Sequence, residues 1–306
     1  TIRLKDDGAG GEAGRKWAVV VGVNEYVDPA LPALKYCVAD AELMAKRLVE
    51  RCGYEADRVL VITDSQPKVH LRPLKRNLQV QVQDWLKRAG PKDTVLVFFA
   101  GHGFLDARGQ GFLATQDCER ENLGLTALRT DDLRDMLRQC KASQKVLVLD
   151  CCHAGGDRGE GDAGASSEEL GASFRGAEGL VTLASCKKDE TSREWPAKGQ
   201  GLFTYFLAQG LSGEADGDGD TVVDSDELYQ YCLEQVSLVG QRELNARQTP
   251  VRIIGEDVVG RFALARVGRG AVRRDVKITV VPVGEPVEHA DSISGVALSP
   301  DGRWGM

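Results

Sequence analysis

Residues 144–156 read QKVLVLDCCHAGG, an apolar run that stops at an acid, two cysteines, a histidine and two glycines. Val146 to Leu149 show no polar alternation. The strand they predict is therefore buried on both faces, as in a parallel sheet with helices on each side. In such sheets ligands bind beyond the carboxyl ends of the strands, where this run places Asp150, Cys151, Cys152 and His153. Three readings compete for that cluster: a metal site, a structural turn, or the nucleophile of an enzyme.

The same pattern extends outward. KWAVVVGVNEY, RVLVITD, DTVLVFFAGHG, GLVTLASC and TPVRIIG read as five further strands. Between them, VADAELMAKRLVERCG, LKRNLQVQVQDWLKRAG, RTDDLRDMLRQC, GLFTYFLAQGL and SDELYQYCLEQVSLV have helical spacing. Strands alternating with helices predict an α/β fold, a three-layer α/β/α sandwich around a mostly parallel six-stranded sheet. Residues 1–14 are expected to be a flexible N-terminal segment and residues 15–267 one domain. Within it, GDRGEGDAGASSEELGASFRGAEG is too poor in apolar residues to bury a core, and residues 156–179 are expected to form a mobile loop.

Composition narrows the function. The formal net charge of −7 argues against nucleic-acid binding. The chain contains no P-loop signature, and the GxGxxG spelling GEGDAG at 159–164 lies in a Gly-rich polar stretch rather than directly after a predicted strand, which speaks against a nucleotide-binding α/β protein. The eight cysteines lack framework spacing and several lie inside apolar segments, as expected for free thiols in a reducing, cytoplasmic setting. No apolar run approaches the roughly 20 residues of a membrane span.

A cysteine nucleophile needs a base to form thiolate and donors to hold an oxyanion. Of the four histidines, His102 ends an apolar strand with a glycine on either side, Gly101 and Gly103. His153 follows Cys152 directly, and sequence neighbours rarely point the same way. His102 with one of the tandem cysteines is thus the sensible pair, supplied by two strand ends. A structural metal site on Cys151, Cys152 and His153 is disfavoured, because adjacent ligands do not readily chelate one tetrahedral ion and no second CxxC exists.

His102 precedes Cys152 by 50 residues, close to the spacing of about 50 in caspases. FFAGHG and LDCCHAGG resemble the His-Gly and Asp-Ser-Cys-His-Ser-Gly motifs of metacaspases and their bacterial relatives, the orthocaspases. WAVVVGVNEY, LKYCVADAELM and GLFTYFLAQGL resemble flanking segments of the same group, over about residues 15–255. The resemblance implies the caspase-hemoglobinase fold and a cysteine endopeptidase in which His102 is general base and Cys152 nucleophile. The N–H groups of Gly103 and Cys152 become candidate oxyanion donors, and a backbone carbonyl near the first strand is expected to orient His102. Cys151 stands where the family usually has Ser or Ala.

The resemblance also implies a pocket for Arg or Lys before the scissile bond, lined by Asp40 and Asp150. Paired carboxylates suit a guanidinium and repel an acidic side chain; the local alternative for Asp40 is a helix N-cap. Arg158 and Arg175 are then candidate self-processing sites. No cofactor is required, although some metacaspases use calcium, and Asp117, Asp131 and Asp132 occupy similar places. DGDGDTVVDSDE, residues 216–227, resembles an EF-hand loop, but Thr221 replaces its glycine and no clean helix pair brackets it, so it reads as a polar turn. HADSISGVALSPDGRW resembles the start of a WD-repeat blade. Residues 268–306 are accordingly expected to be a linker and the opening of a truncated propeller, through which protein partners would bind. The rival to an enzyme is an inactive caspase-like scaffold joined to that propeller.

Overall fold

The computed structural model describes residues 14–152, 164–258 and 262–266, together with two short strands near the C-terminus. In chain order the elements are β1 (Lys16–Gly22), α1 (Cys37–Arg51), β2 (Val59–Thr63), α2 (Lys75–Leu86), β3 (Thr94–Leu105), β4 (Gly111–Leu113), α3 (Leu123–Thr126), β5 (Leu128–Arg129), α4 (Thr130–Gln139) and β6 (Gln144–Cys152). There follow α5 (Ser167–Ala172), β7 (Leu180–Ala184), β8 (Glu194–Trp195), β9 (Gln200–Gly201), α6 (Leu202–Gln209), β10 (Val222–Asp224), α7 (Ser225–Glu243), β11 (Val251–Ile254) and β12 (Ala263–Arg266).

The six strands expected from the sequence form the main sheet in the order β11-β7-β6-β3-β1-β2. All neighbours in that path pair in parallel except β11, which runs antiparallel to β7. The short β4 and β5 extend from the end of β3.

The unbroken apolar runs have a direct packing cause, because successive side chains of a strand point to opposite faces. Val20 of β1, Phe98 of β3 and Val148 of β6 enter one core with Met44 of α1, Phe203 of α6 and Leu228 of α7. Val19, Phe99 and Leu147 enter the other core with Leu78 of α2, Leu133 of α4 and Leu170 of α5. Each fully buried side chain of this size contributes about 1.5–3 kcal/mol. With helices on both faces, the sheet leaves its carboxyl end as the place for a site.

The expectation of a mobile loop over 156–179 needs correction where the chain is described. Residues 164–179 contain α5, opened by a capping box in which Ser166 accepts from the N–H of Glu169. Leu170, Phe174 and Ala177 are buried in the second core. Sparse apolar residues at helical spacing suffice when a sheet face is already waiting for them. Residues 156–163 lie outside the described residues.

Residues Val272–Met306 form a separate unit. Within it β13 (Ala297–Leu298) and β14 (Trp304–Gly305) pair antiparallel. Among the described residues no helix is long and apolar enough to cross a membrane.

Candidate active site

The parallel ladder between β3 and β6 runs from Thr94 opposite Gln144 to His102 opposite Cys152. The two residues singled out by chemistry are thus the last paired position of two neighbouring strands. By the same alternation, positions 102, 150 and 152 share one parity and 151 has the other. Cys151 is fully buried in the core with Leu147 and Leu149, and its N–H donates to Ser167 Oγ at 3.0 Å.

His102 is fully buried and held by the loop that follows β1. Its Nε2 lies 2.7 Å from the carbonyl oxygen of Pro32. A carbonyl only accepts, so Nε2 carries the hydrogen and Nδ1 the lone pair of the neutral ring. Tyr26 stacks on the imidazole with centroids 4.8 Å apart and planes at 28°. The His102 backbone N–H donates to the Tyr26 hydroxyl at 2.9 Å.

Gly103 is demanded by space, since a Cβ there would stand 2.2 Å from Leu170 Cδ1. Its carbonyl accepts from Ala165 N–H. The Ala114 N–H donates to the His102 carbonyl, which makes Gly103 and Leu113 a non-hydrogen-bonded pair of the β3–β4 ladder. The Gly103 N–H therefore faces the β6 side, where Cys152 lies.

On the same side of the sheet two carboxylates meet around one glycine. Asp40, nearly fully buried on α1, accepts from Gly201 N–H through both oxygens, at 2.9 and 3.1 Å. It is not an N-cap: the cap of α1 is Tyr36, which makes no side-chain cap bond. Asp150 accepts from Ser192 Oγ and Thr204 Oγ1, each at 2.6 Å. A Cβ at Gly201 would lie 2.8 Å from Asp40 Oδ2 and 3.1 Å from Asp150 Oδ2. Glu194 pairs with Gly201 across the β8–β9 hairpin.

Burial, and then the charge of Asp150, push the Asp40 carboxyl well above the usual carboxylate range. Burial also raises Asp150, against the downward pull of the Ser192 and Thr204 hydroxyls. Two carboxylates out of water and facing each other are expensive, and a cation between them relieves both costs.

The structure does not bring Asp117, Asp131 and Asp132 into one ligand group. Asp117 Oδ1 accepts from Lys75 N–H and Thr115 Oγ1. Asp131 pairs with Arg134 at 3.0 Å and Arg129 at 3.6 Å. In this arrangement the three acids do not converge on one cation position among the described residues. Among the described residues, the acidic side chains whose ligand atoms gather within 4.8 Å are Asp216, Asp218 and Glu227. On the incoming side the chain leaves helical geometry at Gly213, with a φ of 116°, before the loop begins. On the outgoing side α7 starts at Ser225, while Thr221 takes the positive φ of 74° that the missing glycine would have taken.

Arg175 is exposed in the turn after α5, and Arg158 and His153 lie outside the described residues. The carbonyl expected near the first strand to orient His102 is that of Pro32, whereas Tyr26, Ser192, Gly201 and Thr204 were not singled out from the sequence. The only local signal was GQG immediately before α6; the rest are ordinary loop and helix residues that tertiary contact makes special.

Among known proteins, residues 15–252 match the family model described as the caspase domain. Metacaspase-4 of Arabidopsis thaliana is 26% identical over 247 residues, covering 76% of this chain and 53% of that protein. Metacaspase-1 of Candida glabrata is 34% identical over 151 residues, 46% of this chain and 37% of that protein. The chain thus spans between a third and about half the length of these relatives. The crystal structure of caspase-1 from Spodoptera frugiperda aligns with a TM-score of 0.56 at 16% identity, over 84% of this chain and 92% of that one. At that identity the likeness is one of fold.

Proposed function

We propose, for a chain that belongs to the caspase-domain family, a cysteine endopeptidase that cuts proteins or peptides after arginine or lysine. The observation that carries this reading is the register of His102 with Cys152 at the carboxyl end of the sheet, beside two buried acids. The Cys152 thiol gives its proton to His102 Nδ1, and the thiolate attacks the scissile carbonyl. The N–H groups of Gly103 and Cys152 hold the oxyanion. The tetrahedral intermediate collapses to a thioester as the leaving amine takes the proton from the imidazolium. The neutral imidazole then removes a proton from water, and the hydroxide attacks the thioester to release the acid and restore the thiol. The Pro32 carbonyl supports this cycle by fixing which nitrogen is basic.

Asp40 and Asp150 form the pocket for the basic side chain, with Ser192 and Thr204 aiming Asp150. An acidic substrate side chain would meet like charge there. The finer parts of the reading belong to the same proposal: an orthocaspase-type enzyme in a reducing, cytoplasmic setting, self-processing at Arg158 or Arg175, and a WD-repeat start over residues 268–306.

Fluorogenic peptides ending in Arg, Lys or Asp test it. The wild-type chain should cleave Arg and Lys peptides and leave Asp peptides intact, and Cys152→Ala and His102→Ala should abolish turnover. Turnover that survives Cys152→Ala would overturn the assignment. A folded wild-type chain that cleaves none of the peptides would favour the scaffold reading.

A further inference from the structure

We propose that Tyr26 is a positioning residue for His102: its ring backs one face of the imidazole and its hydroxyl bonds the same residue's backbone, supporting the protonated ring that keeps Cys152 as thiolate. The inference rests on the reading of His102 and Cys152 as a pair and adds the group that tunes it.

Three contacts from one short loop converge on His102. The Tyr26 ring lies against the imidazole at 4.8 Å with planes at 28°. The Tyr26 hydroxyl accepts the His102 N–H at 2.9 Å and donates to the Val23 carbonyl at 3.2 Å, which anchors the ring to the end of β1. The Pro32 carbonyl meets Nε2 from the far end of the same loop. Gly101 leaves the room required, since a Cβ there would stand 3.2 Å from the Tyr26 hydroxyl.

The physical consequence follows from charge. A tyrosine face carries negative quadrupole density and attracts a cation lying over it, so the stack favours imidazolium over imidazole. The Pro32 carbonyl accepts from the ring in both forms, but more strongly when the ring is charged. When the thiol proton moves to Nδ1, the charge that forms already faces the aromatic ring and the carbonyl. Cys152 stands in register with His102 on β6, and Arg120 approaches the ring through Phe104. The Arg120 guanidinium sits 5.7 Å from the Phe104 ring centroid, and that ring is 6.4 Å from the imidazole. Asp28 is engaged elsewhere, accepting from the Arg120 backbone N–H.

The test reads the thiolate directly. Iodoacetamide alkylation of Cys152 is followed by peptide mapping between about pH 5 and about pH 9. The seven other cysteines are buried, and burial holds Cys118 up to about 11 and Cys52 and Cys186 up to about 12. Wild type should react below the ordinary thiol range. Tyr26→Leu, which removes the ring, should lose about tenfold of the low-pH rate and shift the profile toward that of a free cysteine. Tyr26→Phe should keep most of that rate and Tyr26→Trp should restore it. Tyr26→Met replaces the leucine variant should that one not fold.

A profile for Tyr26→Leu or Tyr26→Met that superimposes on wild type overturns the inference, as does an equal fall in Tyr26→Phe. The alkylation readout does not need peptide turnover. Wild type that cleaves no peptide while the Tyr26 effect holds would sink the peptidase reading alone. Wild type that cleaves Arg peptides while Tyr26→Leu alkylates normally would sink this inference alone.

Discussion

His102 and Cys152 stand opposite one another as the last register pair of the β3–β6 ladder, fifty residues apart in sequence and neighbours in the sheet. Cys151, one residue away, is fully buried in a hydrophobic core. The two thiols should therefore separate cleanly. Cys151→Ala should keep turnover and lose about 1 kcal/mol of stability, through lost core contacts. Cys152→Ala should lose turnover and keep its melting temperature. Peptide cleavage and thermal melts on the same samples decide it, and loss of activity in Cys151→Ala alone would reverse the assignment.

The Asp40 carboxyl gives a pH signature. Its value in the folded chain is raised by burial and then by Asp150. An acid raised on folding binds more protons in the folded state than in the unfolded one. Stability therefore falls as pH rises from about 4 toward the folded-state value. Asp40→Asn removes that cost while still accepting a bond from Gly201. The variant should be about 1–2 kcal/mol more stable near neutral pH, with the gap closing as pH falls toward about 4. It should also lose most cleavage after arginine. Melting curves across that range in which Asp40→Asn brings no gain would contradict the burial argument.

Gly201 has an ordinary φ of −65°, so conformation alone permits alanine there. Space does not: the added methyl would press on the carboxylates of both Asp40 and Asp150. Gly201→Ala should fold, alkylate normally at Cys152, and lose about a hundredfold in kcat/KM for arginine peptides. Arginine cleavage at the wild-type rate would show that the pocket lies elsewhere.

Self-processing offers a choice between two arginines. Arg175 sits between Phe174 and Ala177, both buried in the core. Presenting it as an extended substrate means pulling that core apart, a local unfolding cost. Arg158→Gln should therefore stop any processing, and Arg175→Gln should leave it unchanged. Intact-mass spectrometry distinguishes the two, and fragments that persist in Arg158→Gln would count against this ranking.

The alternation of apolar runs with helical spacing was enough to read the six main strands, their burial on both faces and the sheet end where the candidate pair stands. Those features are legible because they rest on period, and period is local. The candidate pair His102 and Cys152 was legible for a related reason: each stands at the end of an apolar run, with glycines close by in sequence. The helix α5 was misread as loop because its few apolar residues count only once the face of β6 and β7 is there to receive them.

What only the tertiary structure decided were the relations between distant segments. A carbonyl near the first strand was expected at His102, but which one it is, and that Tyr26 joins it, was settled by loop closure across about seventy positions. Gly201, Ser192 and Thr204 likewise acquire meaning only where α1, β6 and α6 meet. The chain by itself pointed to the candidate pair and to the strand ends that present it. The fold determined which residues share a buried, low-dielectric space, where hydrogen bonds and charges set their roles.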